Sequence, residues 1–269
     1  MKVGYLGVPG SYSEAALQKE CQTMEEFEAI GFPNFQAIID ALASKRISMA
    51  VIPVENSTTG FIARSADLFR HQPIVAVADR FESVQHSLWA LLGCQLSDIT
   101  DVYSHPEALS QCDTFFAANP QLTQHAYTDT AQAAAFIQRS QLPHQAAIAS
   151  QRAGELYGLE ALRQDIQTEE SNTTRFYIMK HQGNVQLTGK QLSLYLEVRH
   201  EPGALSKLLQ VFGLLDCNLL SLNARPIPGK PFAYGFYLEL DLSQMSIGFN
   251  DLMKIVDKAS DYSQILGRF

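Results

Sequence analysis

Apolar and polar positions divide this chain into two stretches with different rhythms. In the first, short apolar runs alternate with segments of helical spacing. Met49-Ala50-Val51-Ile52-Pro53-Val54 is uninterrupted and short, as expected of a strand buried on both faces. Residues 2–7, 74–77, 87–92, 101–103, 124–128 and 146–149 read as further strands. Between them, Phe35, Ile38, Ile39 and Leu42 recur at helical spacing and predict a core-facing helix. Ser11 with Glu14 fits a capping box, Asp129 opens an alanine-rich helix, and Ser150 caps a helix reaching Tyr157. Pro106 suits the first turn of another helix, and one more is expected over 62–69. This alternation predicts an α/β domain with parallel sheets.

The rhythm changes after residues 181–189, a polar, glycine-containing candidate linker. Residues 192–198 alternate as a strand does, and Leu205, Leu208, Leu209 and Phe212 then share one helical face. Strands over 218–222 and 234–240 flank a Pro228-Gly229-Lys230 turn. A helix carrying Leu252, Ile255 and Val256 follows, and a last strand near 265–266. The order βαββαβ describes a small two-layer α+β unit. Two domains, 1–182 and 190–269, suit a chain of 269 residues.

Charge narrows the ligand classes. A net charge of −8 argues against a nucleic-acid surface, so an anionic ligand has to be held by local donors. No apolar run approaches the ~20 residues of a membrane helix. Residues 1–5 enter a strand at once, so no signal peptide is expected. Cys21, Cys94, Cys112 and Cys217 lack metal-site spacing and read as buried thiols of a reducing cytoplasm.

Candidate chemistry gathers at strand ends, where open α/β sheets bind ligands. Asn172-Thr173-Thr174-Arg175-Phe176 is a polar turn feeding a strand. Arg175 offers a fork of donors matched to a carboxylate, and Thr174 a hydroxyl able to donate to a departing oxygen. After the 49–54 run come Glu55, Asn56, Ser57 and Thr58; the last three supply donors. Glu55 either caps the next helix or serves the site by pairing with a cation, orienting a donor or carrying a proton. The Gly10-Ser11 turn opens a helix whose backbone N–H groups can face an anion, although a plain strand-turn-helix joint has the same pattern. His86 reads as structural, and His105 as a packed or capping residue. The start of the second-domain helix, Gly203-Ala204-Leu205, could receive an amino-acid carboxylate, or be only a tight turn.

Five stretches, in this order, resemble the prephenate dehydratase family: residues 7–13, residues 52–57, Ser104-His105-Pro106 with Gln111-Cys112, Asp129-Thr130-Ala131, and residues 172–176. The βαββαβ unit resembles its ACT regulatory domain, of ferredoxin-like topology. The resemblance implies two lobes of the periplasmic-binding-protein kind, 1–75 with 165–182 and 76–164, with substrate in the cleft. It implies conversion of prephenate to phenylpyruvate, water and carbon dioxide in phenylalanine biosynthesis, with no cofactor or metal. Phenylalanine is then the feedback effector of a cytoplasmic homodimer or homotetramer.

Residue by residue, the resemblance implies Thr174 as the donor to the leaving hydroxyl, with Glu55, Asn56, Gln111 and Ser104 in the catalytic set. Gln111 and Ser104 would come from the second lobe. Arg175, Ser11, Gly10, Ser57, Thr58, Asn172 and Phe176 are implied as substrate contacts. Gly203, Ala204, Leu205, Asn218 and Leu219 are implied as effector contacts. One departure stands out: the family's Glu-Ser-Arg-Pro stretch is Asn223-Ala224-Arg225-Pro226 here. Two alternatives stay open: arogenate dehydratase, and a non-catalytic small-anion sensor on the same fold.

Overall fold

A computed structural model describes residues 1–169, 171–199 and 201–269. The chain opens with β1 (Lys2–Leu6), α1 (Tyr12–Glu20), β2 (Glu28–Phe32), α2 (Phe35–Ala43), β3 (Met49–Asn56), β4 (Gly60–Phe61), α3 (Ala63–Ala66) and β5 (Ile74–Ser83). It continues through β6 (Ser87–Ala90), β7 (Asp101–Ser104), α4 (Pro106–Ser110), α5 (Asp113–Ala118), β8 (Thr123–Ala126), α6 (Thr130–Ser140), β9 (Gln145–Ala149), α7 (Gln151–Leu156) and β10 (Glu160–Arg163). After β11 (Thr173–His181) come β12 (Gln191–Glu197), α8 (Ala204–Leu214), β13 (Asn218–Pro226), β14 (Tyr234–Asp241), α9 (Phe249–Ala259) and β15 (Tyr262–Arg268). These elements form two compact units. The first takes in Met1–Ile38, Val51–Gly60 and Arg80–Phe176, and the second Ile39–Ala50, Phe61–Asp79 and Tyr177–Phe269.

In the first unit, β1 lies parallel to β2, and a separate sheet has the order β10-β6-β9-β7-β8. In that sheet β7 is parallel to β8 and β9, while β6 is antiparallel to β9 and β10. The expectation of parallel sheets is therefore met only in part. β6 reaches β7 through a single 3₁₀ turn at Leu96–Asp98 instead of a crossover helix. The sheet is covered on both faces. Leu88, Ile148 and Val102 pack with Cys112 and Phe116, while Trp89 and Ala147 pack with Ile137 and Ala153. That double burial is why residues 87–90 and 145–149 lack a polar alternation.

The helix starts follow their capping residues. Ser11 Oγ accepts from Glu14 N at 3.2 Å, Asp129 Oδ1 from Gln132 N at 2.7 Å, and Ser150 Oγ from Ala153 N at 3.1 Å. His105 is the N-cap of α4, its Nδ1 accepting from Glu107 N at 3.2 Å. Gly10 takes a left-handed φ of 93°, and a Cβ there would lie 2.9 Å from the Ala153 backbone, so two constraints hold that position to glycine. The helix expected over 62–69 is only α3, and residues 67–70 continue it as turns.

In the second unit, the strands run in the order β13-β14-β12-β15, with β15 joining β5 in parallel at Gly267↔Ala76. The βαββαβ order is present as β12-α8-β13-β14-α9-β15. Its core sets Leu192, Leu194, Leu196, Leu238 and Leu240 from the strands against Leu208, Phe212, Leu252 and Val256 from the helices. All four cysteines are buried free thiols. Among the described residues, no helix is long and apolar enough to cross a membrane, and no cluster of His, Cys, Asp or Glu could hold a metal ion.

Candidate active site

β3 is buried along its length and ends at Asn56, whose amide turns back on its own backbone. Asn56 Oδ1 accepts from Thr58 N at 3.0 Å and Thr59 N at 3.1 Å. A turn of this kind suits a short amide side chain at a strand end. With its oxygen held by backbone donors, Asn56 must present Nδ2 on the other side. Nδ2 donates to Asn172 Oδ1 at 2.7 Å, Thr174 Oγ1 at 3.0 Å and Thr173 O at 3.3 Å. Ser57 ties the same two segments together: its N donates to Thr173 O at 2.9 Å, and its Oγ donates to Ser171 O at 3.1 Å.

The consequence falls on Thr174. Its oxygen already accepts from an amide, so its own proton is directed elsewhere. That makes the hydroxyl a donor, the role a departing oxygen requires. The chain also runs the other way. Asn172 Nδ2 donates to Gln111 Oε1 at 2.9 Å, and Gln111 Nε2 donates to Glu107 Oε1 at 3.2 Å. His86 Nε2 lies 2.9 Å from the same Gln111 oxygen. Burial lowers the His86 pKa, and the hydrogen bond to Gln111 only partly opposes it, so the ring is neutral near pH 7.

Arg175 lies on the opposite face of β11, as the alternation of a strand demands. Its guanidinium is buried, with Nη1 3.6 Å from Glu55 Oε2 and its carbon 5.9 Å from the centre of the Phe81 ring. The sequence-predicted residues thus fall into two groups. Asn56, Asn172, Thr174 and Gln111 are joined by hydrogen bonds, and Glu55 pairs with Arg175.

Others stand apart from both groups. Ser104 is fully buried, its Oγ donating to Ile148 O at 2.7 Å across β7 and β9. Phe176 is a core residue, 1 % exposed. The Gly10-Ser11 turn directs its donors inward: Gly10 N to Glu14 Oε2 at 2.8 Å, and Ser11 N to Val8 O at 3.1 Å. Burial pushes the Glu14 carboxyl up, but Arg152 Nε at 2.8 Å and Gly10 N–H outweigh it and hold it below its usual range. Ser57 and Thr58, exposed at the end of β3, belong with the first group through the bonds described above.

The second unit holds an ionic cluster around the buried Arg70. Asp67 is paired with Arg70 and, at 2.8 Å, with Arg225. Arg70 Nε donates to Tyr237 Oη at 2.6 Å and lies over the Tyr195 and Tyr237 rings, at 5.1 and 5.6 Å. Burial raises the Asp67 pKa, but hydrogen bonds from Arg225 and Arg70 outweigh it and hold the carboxyl below its usual range.

Beside this cluster, the same unit opens a cleft of about 980 Å³ whose wall includes Gly203, Ala204, Leu205, Glu197, Lys230 and Ala224. Glu197 is buried there, accepting from Lys230 Nζ at 2.9 Å and Tyr195 Oη at 3.0 Å. Ala224 lines the cleft and Asn223 does not, in keeping with strand alternation. Of the family's Glu-Ser pair, it is the serine position that faces this space. Asn218 and Leu219, opposite Asp241 and Leu240 at the other end of β13, are not among its lining residues.

His86, structural by its sequence context, is bonded to Gln111, a contact the sequence does not show. The only local signal is a histidine entering an apolar strand beside Ser87. Of the Asp67–Arg70–Arg225 cluster, only the Asp67/Arg70 spacing is visible in the chain.

The family description "Prephenate dehydratase" matches residues 3–184. The chain is 34% identical over 286 residues to arogenate dehydratase/prephenate dehydratase 6 of Arabidopsis thaliana, covering all of this chain and 68% of that one. It spans about two thirds of the length of the first curated relatives it matches. Among solved structures, the prephenate dehydratase of Staphylococcus aureus superposes with a TM-score of 0.81 at 26% identity, covering 100% of both chains. GqqA, described as a novel type of quorum quenching acylase, superposes with a TM-score of 0.87 at 26% identity, covering 99% of this chain and 97% of that one. With the family match extending over most of the chain, and the hydrogen-bonded residues drawn from three of its five motifs, this protein belongs to the prephenate dehydratase family.

Proposed function

We propose that the protein catalyses the decarboxylating dehydration of prephenate to phenylpyruvate in phenylalanine biosynthesis. The observation that carries this reading is the Thr174 hydroxyl, which accepts from Asn56 and so has its proton available to a leaving group. Prephenate is a dianion with a hydroxyl on a cyclohexadiene ring. Breaking the ring-to-carboxylate bond releases carbon dioxide, and its electron pair completes an aromatic ring as the hydroxyl departs. One proton is taken up and the hydroxyl leaves as water. Aromatisation supplies the driving force, so the reaction needs no electron sink. A threonine hydroxyl is a weak acid, and its contribution is a hydrogen bond that strengthens as charge grows on the leaving oxygen.

Residues 190–269 are read as an ACT domain and the remainder as two lobes of the periplasmic-binding-protein kind, within a cytoplasmic homodimer or homotetramer. The 980 Å³ cleft is read as the phenylalanine site, with the N-terminus of α8 toward the effector's carboxylate. A second reading, arogenate as substrate, is favoured by the relatives named arogenate dehydratases.

The test is phenylpyruvate formation from prephenate by purified protein, with and without phenylalanine, alongside phenylalanine formation from arogenate. Prephenate turnover inhibited by phenylalanine supports both assignments. Turnover preferring arogenate transfers the reading to the aminated substrate. A folded protein inactive on both removes the enzyme reading and leaves the anion sensor.

A further inference from the structure

The amide chain has a far end that the reaction as described does not use. Its direction is set at one end by the Thr58 and Thr59 backbone N–H groups, which cannot turn over. From there each orientation follows: Asn56 presents nitrogen, Asn172 receives it on oxygen, Asn172 presents nitrogen, and Gln111 receives it on oxygen. Gln111 Oε1 therefore also faces His86 Nε2 at 2.9 Å as an acceptor, and the imidazole must carry its proton on Nε2. The other ring nitrogen, Nδ1, lies 3.4 Å from the Tyr12 hydroxyl, which donates to Gln85 O. The Tyr12 ring meets His86 edge-on, at 6.1 Å between centres and 75° between planes. His86 is 2% exposed, so the imidazole is held by protein groups on both sides.

We propose that His86 is a positioning residue for the dehydration: its Nε2–H, delivered to Gln111, holds the amide chain in the one sense that aims Asn56 at the Thr174 oxygen. The inference rests on the dehydratase reading above. Without that donor, the only other contact opposing a turn of Gln111 is its exposed 3.2 Å bond to Glu107, which water can replace, and a turned Gln111 sets its NH₂ against the NH₂ of Asn172. The conflict either breaks the contact between Gln111 and Asn172 or turns Asn172, and in both cases the Asn172 oxygen is no longer held toward Asn56. Asn56 then lacks the contact that fixes its second N–H, and the Thr174 proton is free to point back into the protein. A histidine serving only to fill space would be replaced by any side chain of similar volume. A positioning histidine would be replaced only by one that returns a donor to the same place. Glutamine does this, since its terminal amide reaches where Nε2 lies. Asparagine reaches only where Nδ1 lies.

The test combines ring ¹⁵N NMR of the full chain with prephenate kinetics on His86→Leu, His86→Asn and His86→Gln. We expect the neutral tautomer with Nε2 protonated. We expect kcat to fall about tenfold or more in His86→Leu and His86→Asn, the scale of one lost buried hydrogen bond, with KM little changed. His86→Gln should regain most of kcat. An Nδ1-protonated ring, an unchanged kcat in His86→Leu, or a His86→Gln as impaired as His86→Leu would each overturn the role. The NMR measurement uses the wild-type chain, so it decides the tautomer even where a variant folds poorly. A wild-type protein inactive on both prephenate and arogenate removes the dehydratase reading and this role with it. An active wild type indifferent to His86 removes this role alone.

Discussion

The two units each hold a polar cluster, and the two clusters are built on opposite plans. Around Thr174 the members are neutral amides, a neutral imidazole and a hydroxyl, with a carboxylate, Glu107, only at the exposed far end, and orientation is inherited from backbone N–H groups. Around Asp67 the members are a carboxylate, two guanidiniums and two tyrosines, and orientation comes from charge and ring faces. Neutral groups can be aimed without creating a fixed field, which suits the anionic substrate proposed above. Charged groups create a field and have to cancel it locally, which suits a joint between elements. Removing one member should therefore have different consequences in the two places.

The largest effect is expected where the charges are. Arg70→Ala removes a buried guanidinium that makes three hydrogen bonds, each worth about 1.5–3 kcal/mol for a charged group, and leaves the partly exposed Asp67 with Arg225 alone. Urea unfolding should show the loss, and a midpoint close to wild type would mean that Arg225 alone satisfies Asp67. Next in size is Thr174→Val, which should keep the fold and lower kcat by roughly 10²–10³. Thr174→Ser should retain most of the rate, and equal activity in all three proteins would end the donor assignment.

Asn56→Asp keeps the shape but removes both donors. It should cost about 1–3 kcal/mol in stability, with a parallel fall in kcat. A loss of stability with full activity would separate the chain from the chemistry. Arg175→Lys is a sharper test of the two faces of β11. A KM that rises with kcat retained would assign the guanidinium to a substrate carboxylate. An unchanged KM would leave it as the partner of Glu55.

The smallest effect is the acid response. Asp67 and Glu14 both have depressed pKa values in the fold. Such groups contribute stability above their unfolded pKa, near 4, and lose it as pH falls through the lower folded value. Stability should therefore be level from neutrality down to about pH 4 on their account, and decline below it. Asp67→Asn should flatten that decline, and an unaltered acid limb would show that Asp67 does not contribute.

Much of the amide chain was legible in the sequence because a buried strand switching abruptly to polar residues marks where a sheet ends. Residues 49–56 and 172–176 both show that switch, and β3 and β11 bring them together. The caps at Ser11, Asp129 and Ser150 were legible for the same local reason. His86 was not, since its partner is 25 residues away and a histidine beside apolar neighbours has the signature of a core residue. β2, α5 and β10 were missed because four to six residues do not complete a recognisable period. The opposite placement of Thr174 and Arg175 follows from strand alternation and was available in the sequence, but adjacency in the chain suggested a shared task.

The turn at Asn56 also bears on how the protein ages. Asn-Ser is a sequence prone to deamidation, which begins when the following backbone nitrogen attacks the side-chain carbonyl carbon. Here that nitrogen belongs to Ser57 and is bound to Thr173 O at 2.9 Å, while the amide oxygen is held by Thr58 and Thr59. The groups that aim Asn56 at Thr174 also keep it from the geometry of ring closure. Deamidation at this position should be slow in the folded chain and fast in the unfolded one, so an isoaspartate at 56 would record past unfolding of this unit.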